Sequence, residues 1–198
     1  MPKRSGKIRD ISKCDYEFFG LTEHEANYMD VQMRLALETT YEAIADAGID
    51  PADLRGTKTG IFAGICYDDT GTAFGQDEQT ALHYLRFSVQ RIAAAFDFRG
   101  GASSTDTACA SSFSAFYQAY YSLKAGLCDH AVVVGAAVNL RPTIALGFNN
   151  LRMTSQDGRS KCMDASGQFL SLSLHPASLS PCRTCRFSFF FVPYLLEL

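Results

Sequence analysis

Apolar positions recur along the chain at two spacings, one helical and one extended. From Tyr28 to Ala47, the residues Met33, Leu37, Tyr41, Ile44 and Ala45 mark one face at helical spacing, with Arg34, Glu38 and Glu42 largely elsewhere. This predicts a helix that Gly48 ends in the left-handed region and that Pro51 keeps from continuing. The run Thr59 to Cys66, TGIFAGIC, is apolar almost throughout, as suits a strand covered on both faces. Thr80 to Phe96 reads as helix again, with Leu82, Leu85, Val89, Ile92 and Ala93 in register. Gly100 and Gly101 break the pattern, and ASSTD at 102–106 is a short candidate strand. In ASSFSAFYQAYYSLKAG, residues 110–126, Phe113, Phe116, Tyr117 and Tyr120 share a helical face, and Gly126 ends the element. His130 to Val138, HAVVVGAAV, is a second buried-strand run, and Pro142 is placed to open a helix reaching toward Met153. Residues 155–167 are polar and rich in turn formers.

Helix, strand, helix, short strand, helix, strand is the order of a layered α/β domain with a mostly parallel sheet. No internal repeat interrupts it. The composition shifts near Gly167: the run beyond it is rich in Ser, Phe and Leu, almost free of acidic residues, and holds neither a helical nor a strand period. Residues 1–167 are therefore expected to form the domain, and 168–198 a divergent tail outside it.

The totals add limits. A chain of 198 residues suits one ordinary domain, and 47% hydrophobic residues is normal for a globular one. A net charge of −3 argues against a nucleic-acid partner. Met1 to Asp10 is polar and carries Lys3, Arg4, Lys7 and Arg9, without the apolar core of a secretory signal. No stretch approaches the ~20 apolar residues of a membrane span. The apolar end from Phe187 to Leu198 is too short and contains Pro193. A cytoplasmic location with no membrane partner is expected. The 7 cysteines are an odd number without a framework spacing, which fits free thiols in a reducing compartment. Cys182 and Cys185 form a single C-x-x-C pair, and one pair does not make a metal site, so none is expected.

Cys109 carries the most chemistry. It stands between the short strand and the first turn of the following helix. Unpaired N–H groups at a helix start carry partial positive charge, which stabilises a thiolate and lowers its pKa. Ala108, Ala110, Ser111 and Ser112 are small, letting the helix start pack closely and leaving room for an acyl carbonyl. The Cys109 N–H is placed to donate to the oxyanion of acyl transfer. On local chemistry alone the position also fits a small buried core thiol. Catalytic thiols commonly pair with a histidine, but no spacing singles out His24, His83, His130 or His175.

The segment STDTACASSFSAFYQAYYSLKAG, residues 104–126, resembles the active-site segment D-T-A-C-S-S-S of β-ketoacyl synthases, with Ala110 in place of the first Ser. Further pieces match in the same order. Residues 18–49 resemble the F-F-G…M-D-P-Q-x-R-L…E-D-A-G-I segment, with Val31 for Pro. TGIFAGI resembles T-G-V-F-x-G, and residues 96–109 resemble F-D-F-x-G-P-S…D-T-A-C, with Gly101 for Pro. HAVVVGAAVNL resembles A-x-V-G-G-x-N-L, and residues 153–167 resemble L-S-P-D-G-x-C-x-x-F-D-x-x-A-x-G. The opening PKRSGKIRDISKCDYEFFG is most similar to the animal fatty acid synthase branch, beside the type I polyketide synthases.

The resemblance implies an incomplete thiolase-like layered α/β fold, a mostly parallel sheet flanked by helices, of which this chain holds the N-terminal half only. It implies decarboxylative Claisen condensation, with acyl and malonyl groups carried on the phosphopantetheine of an acyl carrier protein and no cofactor bound by the domain itself. In the intact parent it implies a homodimer. Cys109 takes the place of the acyl nucleophile. Asp106, Thr107, Ala108 and Ala110 support the turn and oxyanion site around it, and Phe148 and Met153 fall near the acyl channel, where ordinary core packing is the competing reading. The family's catalytic histidines, supporting lysine and second oxyanion donor follow motifs that do not occur here, so full condensation by this chain alone is expected to be absent. The family's first, central strand is also expected to be missing, and the tail departs from its pattern as a frame change or unspliced intron would make it. Two other functions compete: a different thiolase-fold condensing enzyme, and a non-catalytic half-domain acting in an interaction.

Overall fold

A computed structural model describes residues 11–66, 88–140 and 142–155, together with the backbone of 188–196. The expected helix from Tyr28 to Ala47 is α2 (Val31–Asp46), and a separate short helix, α1 (Glu23–Tyr28), precedes it. The break falls at Met29 and Asp30, neither of them in a helical conformation. Asp30 is the reason: its carboxylate accepts the N–H of Gln32 at 2.7 Å and so starts a new helix. Thr22 and Glu25 cap α1 reciprocally, each accepting from the other's backbone N–H. At the end of α2, Gly48 has φ +77, as the sequence pattern requires.

Three further strands and helices follow the expected order. Strand β1 is Thr59–Ile65, helix α3 Val89–Phe96 and strand β2 Ala102–Thr105. Helix α4 is Ser111–Lys124, strand β3 His130–Val138 and helix α5 Pro142–Asn150. Of the helix expected over 80–96, the part before Ser88 lies outside the described residues. So do residues 156–187, with the polar segment, His175 and the Cys182–Cys185 pair. His83 falls outside as well.

The sheet is parallel throughout and ordered β2-β1-β3-β4, where β4 is Ser188–Leu196. β1 is central: Ile61 registers with Ala102 on one side and Val132 on the other. β4 runs beside β3 from His130↔Ser188 to Val138↔Leu196. The run SFFFVPYLL thus takes a strand position despite lacking a strand period. A continuous apolar run is what a strand in a covered parallel sheet requires.

Strand alternation sends residues to two faces. On one face Ile61, Ala63, Val132 and Val134 meet Met33, Leu37 and Ile44 of α2 and Ile92 and Phe96 of α3. On the other, Phe62, Ala131 and Val133 meet Ala115, Ala119 and Leu123 of α4. Full burial of a Leu or Ile here is worth roughly 1.5–3 kcal/mol. Gln32 is 1% exposed, and its Oε1 accepts the Val138 N–H at 3.3 Å, tying the start of α2 to the end of β3. α4 is apolar on its far side as well: Phe113 is 73% exposed and Tyr117 57%, with Tyr120 and Tyr121 beside them.

Candidate functional site

Cys109 lies at the carboxyl end of β2, where the chain turns over the sheet into α4. The expected position, between the short strand and the first turn of that helix, holds a single 3-10 turn spanning Ala108–Ala110. Within it Ala108 is left-handed, with φ +52, and α4 begins only beyond it. Ala110 then caps α4 without any side-chain acceptor, so its N-terminal end is left uncovered by a cap just beyond the thiol. Cys109 is exposed, which removes the core-thiol reading.

The turn is built by short hydrogen bonds. Asp106 Oδ1 accepts the Ala108 N–H at 2.9 Å. Ser111 Oγ accepts the Thr107 N–H at 2.9 Å and donates to the Ala108 carbonyl at 2.6 Å. The Thr107 and Ser114 hydroxyls are 2.7 Å apart. The Ala110 N–H donates to the Thr107 carbonyl at 3.1 Å. Asp106, Thr107, Ala108 and Ala110 are therefore brought together around Cys109. Phe148 and Met153 are joined to each other instead, the Met153 N–H donating to the Phe148 carbonyl at 2.9 Å past the left-handed Arg152. The described contacts do not carry either of them to the Cys109 turn.

Three residues that the sequence pattern did not single out as site residues hold the turn down. Ser111 is only 4% exposed. Gly64 of β1 lies directly under the Ser111–Ser112 peptide: a Cβ there would overlap its backbone. A Cβ at Gly135 of β3 would lie 2.8 Å from Ser112 Cβ. Two glycines inside strands, where β-branched residues are favoured, were the legible signal of a close backbone approach. Ser103 Oγ donates to Gln118 Oε1 at 3.0 Å and fastens β2 to α4 as well.

The other described thiols differ. Cys128 is buried, and burial pushes its thiol up, with a backbone hydrogen bond from Gly60 opposing and Asp129 adding to the rise. Cys14 and Cys66 are half-buried. His130 registers with Thr59 at the opening of both strands, at the far end of the sheet from Cys109. His24 packs at a tilt against Tyr28 in α1, their ring centroids 4.7 Å apart. No group of three His, Cys, Asp or Glu is placed to hold a metal ion among the described residues. No helix among them is long and apolar enough to cross a membrane.

Residues 1–169 match the family model described as "Beta-ketoacyl synthase, N-terminal domain". A fatty acid synthase from Anser anser anser is 46% identical over 173 residues, covering 84% of this chain and 49% of the relative. An erythronolide synthase from Saccharopolyspora erythraea is 38% identical over 179 residues, 86% of this chain and 5% of the relative. The ketosynthase from module 6 of the bacillaene synthase of Bacillus subtilis 168 superposes with TM-score 0.67 at 30% identity, over 77% of this chain and 26% of that one. The oxazolomycin ketosynthase domain of Streptomyces albus JA3453 gives 0.66 at 31% identity, over 76% and 28%. The chain thus spans about half the length of the fatty acid synthase and far less of the polyketide synthase.

Proposed function

Because the chain belongs to the β-ketoacyl synthase family, we propose that Cys109 is the acyl-accepting nucleophile of a condensing enzyme of fatty acid or polyketide synthesis. The fold is part of the thiolase-like ketosynthase fold. The observation that carries the proposal is one exposed thiol on a hydrogen-bonded, left-handed turn at the uncovered end of α4.

The first half of the reaction follows from that placement. The Cys109 thiolate attacks the carbonyl of an acyl thioester on an acyl carrier protein. An oxyanion forms, facing N–H groups of the turn and of the first turn of α4. The bond from the acyl carbon to the pantetheine sulfur then breaks, and the departing thiolate takes up a proton. The acyl group is left on Sγ as a new thioester. In the second half, malonyl on the carrier loses carbon dioxide and its carbanion attacks the acyl-enzyme. A carbon–carbon bond forms and the Cys109 thiolate is released. The resemblance assigns that half to histidines outside this chain, so the proposal for the chain itself is acyl transfer without condensation. Carrier protein as donor, pairing of two copies in the intact parent and a cytoplasmic location belong to the same reading.

The test presents acyl–acyl carrier protein to the purified chain and follows the carrier by mass. The expected outcome is return of the carrier to its free-thiol form with wild type and not with Cys109→Ala. No 3-ketoacyl product is expected when malonyl carrier is added. A carrier that stays acylated would reject the enzymatic reading. It would favour the second one, a non-catalytic half-domain in an interaction or a degenerate fragment, which the exposed aromatic face of α4 supports.

A further inference from the structure

We propose that Ser111 is a positioning residue for the Cys109 thiol, acting by holding Ala108 in its left-handed conformation. The inference rests on the reading of Cys109 as acyl acceptor and names the side chain that keeps it in place.

Ala108 immediately precedes Cys109, so its φ and ψ set the direction in which the following residue leaves the strand. At φ +52 it sits where an L side chain crowds its own backbone, and only surrounding structure keeps it there. Asp97 and Arg152, the other described non-glycine residues with positive φ, close helices. Ala108 instead opens one.

Four hydrogen bonds from Asp106 and Ser111 hold the backbone around Ala108. Asp106 Oδ1 takes the Ala108 N–H from outside the turn, with an exposed carboxylate. The Ser111 N–H also reaches the Ala108 carbonyl. The remaining two come from one atom: Ser111 Oγ accepts from Thr107 N–H and donates to the Ala108 carbonyl. It therefore ties the Asp106–Thr107 peptide to the Ala108–Cys109 peptide, bracketing Thr107 and Ala108 at once. Ser111 is anchored for this task, being 4% exposed and lying on Gly64 of β1. A buried hydroxyl with both a donor and an acceptor partner fixes geometry, and removal of its oxygen leaves the Thr107 N–H and the Ala108 carbonyl each short of one partner.

Substitution by alanine keeps the Ser111 backbone on Gly64 and deletes only the clamp. Ala108 is then free to leave the left-handed region, taking Cys109 with it. Replacing Ala108 by glycine removes the reason for a clamp, because glycine holds positive φ without crowding. The two changes should therefore couple.

The experiment measures the rate at which the full chain takes an acyl group from hexanoyl-N-acetylcysteamine thioester, by intact mass. Wild type, Ser111→Ala, Ala108→Gly and the double variant are compared. The expected result is at least a tenfold loss for Ser111→Ala and a double variant within about threefold of Ala108→Gly alone. A purely structural role for Ser111 does not give that rescue. Amide-to-α-proton cross-peaks within Ala108 report the same event without any chemistry: a left-handed residue gives a strong one, which Ser111→Ala should weaken. Equal acylation of Ser111→Ala and wild type, a double variant as slow as Ser111→Ala, or an unchanged Ala108 cross-peak overturns the inference. If wild type itself accepts no acyl group, the nucleophile reading fails, and the cross-peak decides whether Ser111 holds Ala108.

Discussion

Replacing Gly64 by alanine tests whether the sheet sets the position of the thiol. The added Cβ would fall on the Ser111 carbonyl group and the Ser112 nitrogen, closer than the 3.0 Å that real Cβ atoms keep. Both neighbours are backbone, so no side chain can swing aside. To reach ordinary contact, the start of α4 must retreat from β1 by about 1 Å, a displacement at which misplaced reacting groups lose on the order of 100-fold in rate. Overpacking of this kind costs about 1–3 kcal/mol. For a domain of this size that lowers the melting temperature by roughly 2–4 °C per kcal/mol. The control is Gly147→Ala in α5, where a Cβ meets nothing within 4 Å. That change should be neutral or add about 0.5–1 kcal/mol of helix stability. Thermal unfolding followed by circular dichroism and the rate of Cys109 acylation are read on both variants. A Gly64→Ala protein as stable and as quickly acylated as wild type refutes the packing of α4 on β1 described here.

Further outcomes are expected. Asp30→Ala removes the cap of α2 and should cost about 0.5–2 kcal/mol, while Gln32→Leu strands the Val138 N–H and should cost about 1–3 kcal/mol. Urea unfolding of Gln32→Leu indistinguishable from wild type would show that the bond from Val138 contributes nothing. Burial raises the Cys128 thiol, so its stabilisation is complete below the ordinary thiol range and is lost as pH climbs through the raised value. Iodoacetamide at pH 8 should therefore label Cys109 in the folded chain and Cys128 only on unfolding, and Cys128→Ala should flatten the alkaline decline in stability. Ending the chain after Gly167 removes β4 and uncovers the β3 edge from His130 to Val138. Faster hydrogen exchange of β3 amides and a greater tendency to aggregate are expected, and unchanged exchange would show that β4 does not cover that edge.

Much of the fold was legible because burial repeats at a fixed period. The apolar run Thr59–Cys66 became the strand Thr59–Ile65, His130–Val138 became a strand over those residues, and the Phe and Tyr positions of 111–124 became a helix. The split at Asp30 escaped periodicity because Met29 and Met33 keep helical spacing across it. Only the capping carboxylate marks the break, and Asp30 is nearly fully buried. The strand at Ser188–Leu196 escaped for a different reason: its apolar run resembles those of β1 and β3, but it contains Pro193 and lies in a stretch whose composition departs from the domain before it. At the site, the motif around Cys109 pointed to the turn between β2 and α4. It did not reveal that Ala108 is left-handed, since alanine carries no preference for positive φ. Nor did it single out Ser111, whose importance arises from two hydrogen bonds that exist only once the turn has formed.

Peptide mapping after exposure of the intact chain to an acyl thioester measures the central claim most directly. One adduct is expected, on the tryptic peptide containing Cys109, released by neutral hydroxylamine as a thioester must be, and missing from Cys109→Ala. No adduct, or one spread over Cys14 and Cys66 and still present in Cys109→Ala, would contradict it.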